Sequence, residues 1–107
     1  MQKYQLTHAR RYSTIQFHHS HYGLEEVPKV LSYLTNLKVL DLRSNRLESL
    51  DPQVIGSLTN LTELYLSGNC LDYLPYQMHK LTKLTTLHLW CNPLKQLKSA
   101  KVTPHPP

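Results

Sequence analysis

One pattern, L-x-x-L-x-L-x-x-N-x-L, runs through this chain three times and restricts its fold more than any other property. It is carried by Leu37, Leu40, Leu42, Asn45 and Leu47, then by Leu61, Leu64, Leu66, Asn69 and Leu71, then by Leu84, Leu87, Leu89, Asn92 and Leu94. The asparagines lie 24 and then 23 residues apart. Leu40 and Leu42 are two apart, as are Leu64 and Leu66, and Leu87 and Leu89, which is strand alternation with leucines inward and their neighbours outward. One such short strand cannot bury its apolar face alone. Stacked on copies of itself, it shares a continuous leucine column and a parallel backbone ladder. Parallel strands need a return path, and each return here leaves room for a turn or a short helix.

A second apolar set follows each asparagine: Leu47, Leu50, Val54 or Ile55, and Leu58, then Leu71, Leu74, Met78 and Leu81. Pro75 comes directly after Leu74, and Pro52 after Leu50 with one extra residue between. Proline there presets φ and opens a helical turn without losing a needed donor, so the return paths are predicted to be short helix or 3₁₀ turn. An earlier coil is traced through Gly23, Leu24, Val27, Pro28, Leu31 and Leu34. Counting back places Phe17 opposite Leu40, His19 opposite Leu42, and Tyr22 in the asparagine slot. Two departures in one coil suit a terminal cap, which is atypical in repeat arrays; a poorly formed strand is the other reading.

Five matched positions repeated at this period resemble the leucine-rich repeat family, whose period is about 20–29 residues. The resemblance covers roughly residues 14–97, and Leu74-Pro75-x-x-Met78-x-x-Leu81 is similar to the common intracellular class. It implies an α/β leucine-rich repeat solenoid: a right-handed superhelix with short parallel strands on the concave face and an irregular or short-helical convex face. It also implies that the asparagine amides satisfy backbone groups of neighbouring coils, since buried backbone polar groups must be paired and an amide both donates and accepts. By function it implies a protein-interaction module that presents a curved sheet to a partner protein. The alternative is a structural or capping fragment of a larger repeat protein that regulates a signalling enzyme or ubiquitin ligase.

The length of 107 residues allows one domain at most. The expected organisation is a basic N-terminal segment over 1–13, repeats over 14–97, and a disordered Pro-rich tail over 98–107 ending Thr103-Pro104-His105-Pro106-Pro107. Three clear repeats and one degraded one are near the minimum for a stable solenoid. Nothing after Leu97 reads as a strong cap, which leaves a fragment or one piece of a longer array as readings. No apolar run is long enough for a membrane span, and Met1–Tyr12 lacks the apolar core of a signal peptide. Cys70 and Cys91 are too few for a disulfide framework, and the four-cysteine flanking clusters of extracellular family members are absent, so free thiols in the cytoplasm are expected. Asn60-Leu61-Thr62 has the form of a glycosylation acceptor, but Leu61 should be buried and the segment is generic repeat sequence.

The formal charge of +5 is misleading about partners. All seven acids fall within residues 24–79 beside only Lys29, Lys38, Arg43 and Arg46, so the repeat body is mildly acidic and the basic charge is terminal. A nucleic-acid binder lines its contact face with Lys and Arg interleaved with aromatics; this chain does not, and no nucleic acid is expected. Oligomeric state is not encoded in any feature of the sequence.

The repeat register names the side chains that leave the sheet. One outward column holds His18, Asp41, Tyr65 and His88; a second holds Ser20, Arg43, Ser67 and Trp90; a third holds Gln16, Val39, Glu63 and Thr86. Tyr65, His88 and Trp90 should form an aromatic group, with Asp41, Arg43 and Glu63 nearby. Exposed Trp, Tyr and Arg dominate interface energies, so the candidate partner-binding set is Asp41, Arg43, Glu63, Tyr65, His88 and Trp90. The plainer alternatives are that aromatics merely suit a pleated surface, that Trp90 covers the end of the core, and that Asp41 and Arg43 pair only with each other.

Other chemistry is disfavoured. His18, His19 and His21 invite a metal, yet on a strand His19 faces away from His18, and zinc wants three or four converging ligands. Ser67 and His88 lie on adjacent strands, but no orienting acid or oxyanion hole is specified and the face is open. Gly23, Gly56 and Gly68 are isolated, so no phosphate loop is encoded. No catalytic residue, metal or cofactor is expected.

Overall fold

The computed structural model describes residues 16–95. The expected 1–13 segment and 98–107 tail lie outside the described residues, as do the outermost positions of the expected 14–97 repeat region. The elements run β1 (Gln16–His18), a 3₁₀ turn (Lys29–Tyr33), β2 (Val39–Asp41), an α-helix (Pro52–Ser57), β3 (Glu63–Tyr65), a second 3₁₀ turn (Tyr76–Lys80) and β4 (Thr86–His88). The four strands make one parallel sheet in chain order. Phe17, Leu40, Leu64 and Leu87 are paired across it, as are His18, Asp41, Tyr65 and His88. The structure is a leucine-rich repeat solenoid in the predicted register, and β1 pairs fully, which removes the reading of a poorly formed first strand.

The leucines do what the pattern requires. Leu37, Leu40, Leu42, Leu47, Leu61, Leu64, Leu66 and Leu71 are fully buried. Each such side chain contributes about 1.5–3 kcal/mol on leaving water. The last coil differs: Leu89 is fully buried, but Leu84, Leu87 and Leu94 are only partly so. Full burial of Leu87 was expected from the pattern. It fails because Leu87 has Leu64 on one side, and β4 has no sheet neighbour on the other among the described residues.

The asparagine ladder joins the coils beneath the sheet. Asn69 Oδ1 accepts from Leu47 N at 3.0 Å, and its Nδ2 donates to Leu42 O at 3.0 Å and Leu66 O at 2.9 Å. Asn45 accepts from Tyr22 N and Leu24 N at 3.0 and 2.9 Å and donates to His19 O and Leu42 O, both at 2.9 Å. Asn92 repeats the arrangement with Leu71 N, Leu66 O and Leu89 O. Each amide therefore ties its own coil to the one before it, using donor and acceptor together. The residue before each of these slots takes a left-handed backbone: His21, Ser44, Gly68 and Cys91, with φ from 58 to 73°. Only Gly68 takes that conformation without a Cβ penalty.

The convex side is short-helical. In the 23-residue coils proline precedes a 3₁₀ turn. In the 24-residue coil the extra residue is Asp51, whose side chain accepts from Gln53 N at 3.0 Å and caps a true α-helix with Pro52 at its start. One inserted residue thus supplies both the room and the cap for an α turn. In the first coil His19 fills a leucine slot and is buried, its ring stacked on Phe17 at 4.5 Å and tilted against Tyr22 at 4.5 Å. Burial holds its imidazole below the ordinary histidine range, against an opposing backbone hydrogen bond with His18.

Candidate functional site

The outward columns place the six candidate residues side by side on the sheet face, because strand alternation directs every second side chain there and the parallel register brings equivalent positions together. Asp41 and Tyr65 are paired positions on β2 and β3, and Tyr65 and His88 on β3 and β4. Arg43 and Trp90 follow the second leucine of their coils and reach the same face.

The contacts run in one line across the sheet. Arg43 grips Asp41 with two parallel bonds, Nε to Oδ1 at 2.9 Å and Nη2 to Oδ2 at 2.7 Å, and its backbone N–H adds a third at 3.1 Å. His18 Nδ1 lies 3.3 Å from the same Oδ2. The Arg43 guanidinium lies over the Tyr65 ring, with Cζ 5.1 Å from the centroid, a cation–π contact. Tyr65 meets His88 edge-on at 4.7 Å, and His88 stacks on Trp90 at 4.4 Å and 29°. Tyr65 also donates its hydroxyl to Glu63 Oε1 at 2.5 Å.

This line divides the six residues by role. Arg43 is exposed, and Glu63, Tyr65, His88 and Trp90 are half-buried, so all five present surface. Asp41 does not: it is 3% exposed. Its carboxylate is closed over by Arg43 and His18. The guanidinium it bonds is the one that lies over Tyr65. His18, in the same column, was not among the candidate residues; its position opposite Asp41 in the back-counted register was the signal available in the sequence.

The electrostatics follow from these bonds. Burial pushes the Asp41 carboxyl up, but the hydrogen bonds from Arg43 and His18 and the charge of Arg43 together outweigh it and hold the group below the usual carboxylate range. The bond to Asp41 stabilises the charged Arg43 still further. The Tyr65 phenol is raised, first by its bond to Glu63 and then by desolvation.

Ser67 is buried, and the acids Asp41 and Glu63 are bonded to Arg43 and Tyr65 respectively. Among the described residues no group of three or more His, Cys, Asp or Glu side chains is placed to hold a metal, and no helix is long and apolar enough to cross a membrane. Cys70 and Cys91 are both exposed free thiols. Asn60 of the acceptor-like triplet is itself engaged, donating to Thr35 O at 2.7 Å and accepting from Lys83 Nζ at 2.8 Å, and Leu61 beside it is fully buried.

A family model described as leucine rich repeat matches residues 35–94. Among curated proteins, the chain is 38% identical over 60 residues to adenylate cyclase of Podospora anserina, an alignment covering 56% of this chain and 3% of that protein. It is 45% identical over 53 residues to leucine-rich repeat-containing G-protein coupled receptor 5 of Bos taurus, covering 50% of this chain and 6% of the receptor. The chain thus spans only a small part of these relatives. Among solved structures, a leucine-rich repeat protein of Leptospira interrogans superposes with a TM-score of 0.62 at 38% identity, over 65% of this chain and 18% of that one.

Proposed function

This chain belongs to the leucine-rich repeat family, and from that premise we propose that it docks a partner protein on the concave sheet, through Arg43, Glu63, Tyr65, His88 and Trp90, with Asp41 holding Arg43 in place. The observation that carries the reading is the continuous contact line from His18 through Arg43 and Tyr65 to Trp90. It groups the residue types that dominate interface energies. It also fixes an arginine before any partner arrives, which lowers the side-chain entropy lost on binding. Cys70 and Cys91, exposed and free, suit a reducing compartment.

The test is affinity capture with the full chain against a Tyr65→Ala/Trp90→Ala double variant, followed by titration of each captured partner. Trp90→Ala alone should weaken binding by about 2 kcal/mol, the scale of an interface hot spot, and leave the circular dichroism spectrum unchanged. A variant that retains every partner at full affinity, or that unfolds, refutes the reading.

A second reading has its own support. Among the described residues, the half-exposed Leu84, Leu87 and Leu94 and the outer edge of β4 form a surface suited to receive another coil. In that reading these repeats are one stretch of a longer array serving a signalling enzyme or ubiquitin ligase. Cooperative unfolding of residues 1–107 alone would argue against it.

A further inference from the structure

Resting on the reading that the concave face docks a protein, we propose that this face receives a basic side chain of the partner, an arginine above all, seated on Glu63 beside the Tyr65–His88–Trp90 rings. The described sheet face carries two acids and they are not equivalent. Asp41 is spent: Arg43 occupies both of its oxygens, and the two charges cancel. Glu63 accepts one bond, from the Tyr65 hydroxyl to Oε1, and that neutral donor leaves its charge uncompensated. None of the ion pairs among the described residues involves Glu63. Its register neighbours are Val39 and Thr86, neither of which carries charge. Arg43, Asp41 and Glu63 together therefore leave one net negative charge, on a half-buried carboxylate where attraction is weakened less than in bulk water.

The neighbouring rings favour the same occupant. Aromatic faces attract cations, and this surface already demonstrates it by holding the Arg43 guanidinium over Tyr65. Arginine suits the position better than lysine, since its planar fork can pair with a carboxylate while lying against a ring. An acidic partner could reach only the Arg43 donors not used on Asp41, the two Nη1–H groups and the second Nη2–H. It would meet a cation already neutralised by Asp41, with Glu63 repelling it.

The probes are three blocked tripeptides, acetyl-Gly-Arg-Gly-amide and its Glu and Leu counterparts, titrated into the full chain. Binding is read from the emission of Trp90, the single tryptophan, and from amide chemical shifts along β2–β4. The Arg peptide should give a saturable response that weakens as salt is raised. Glu63→Gln keeps an acceptor for Tyr65 and should weaken Arg-peptide binding about threefold to tenfold with an unchanged circular dichroism spectrum. Equal or tighter binding of the Glu peptide overturns the proposal. So does Arg-peptide binding indifferent to Glu63→Gln, and so does the absence of any response to the Arg peptide. A Leu or Glu peptide that shifts the sheet amides and loses its effect in Trp90→Ala would remove the basic occupant while leaving concave docking intact; loss of concave docking itself is read separately, from captured partners indifferent to the Tyr65/Trp90 substitutions.

Discussion

Replacing Asn69 by alanine tests the ladder that joins the coils. The amide makes three bonds shorter than about 3.1 Å, from Leu47 N and to Leu42 O and Leu66 O, and Asn69 is 6% exposed. Asn69→Ala strands the Leu47 N–H in a buried site, which costs about 1–3 kcal/mol, and removes one bond from each of two carbonyls at about 0.5–1.5 kcal/mol apiece. The sum is roughly 4 kcal/mol, a large share of the 5–15 kcal/mol typical of a domain. Asn92 makes the same three kinds of bond but is half-buried. Water can replace its partners, so Asn92→Ala should cost only about 1–2 kcal/mol. Asn69→Asp keeps the acceptor for Leu47, loses both donated bonds and buries a charge, so it should be at least as damaging as Asn69→Ala. Urea unfolding of the full chain at neutral pH, followed by far-UV circular dichroism, measures all three. A cost for Asn69→Ala below about 1 kcal/mol, or equal costs at the two asparagines, would refute the role assigned to the buried amide.

Cys91 holds a left-handed backbone with φ of 61°, so Cys91→Gly should relieve up to about 1–2 kcal/mol of local strain, less the greater unfolded-state freedom of glycine; a lower thermal midpoint would count against this. His19 is held below its ordinary value of 6.5 by burial, so the unfolded chain binds more protons than the folded one below that pH. Its stability contribution is present above 6.5 and falls away as pH drops from there toward the folded value. His19→Leu should flatten that part of the stability–pH curve and restore the leucine column, and an unchanged slope would contradict the assignment. Asp41 is also depressed, from its ordinary value of 3.8, with burial opposing and the Arg43 bonds prevailing. Its contribution is complete above that value and lost as pH falls through the lower folded one, so Asp41→Asn should remove that acid-limb component in urea titrations.

Much of the concave surface was legible because parallel pairing at a constant period makes sequence position equivalent to spatial position. Aligning the asparagines placed Tyr65 opposite Asp41 and His88 opposite Tyr65. The same counting predicted short-helical returns from Pro52 and Pro75. It failed where a residue's environment depends on more than its column. Asp41 occupies an outward slot yet is buried, because Arg43, two residues on, folds back over it. Leu87 occupies an inward slot yet is only partly buried; among the described residues β4 has a sheet neighbour on one side only.

The repeat spacing by itself determined the solenoid, the register of its strands and the membership of each outward column, since a period-two strand stacked in register allows only one assignment of faces. Only the tertiary structure decided which outward charges are spent on one another and which are not. Asp41 and Glu63 look alike in the sequence; one is closed beneath a guanidinium and the other is bound only by a neutral hydroxyl. That difference lies in side-chain reach and rotamer across coils, which no column of letters contains.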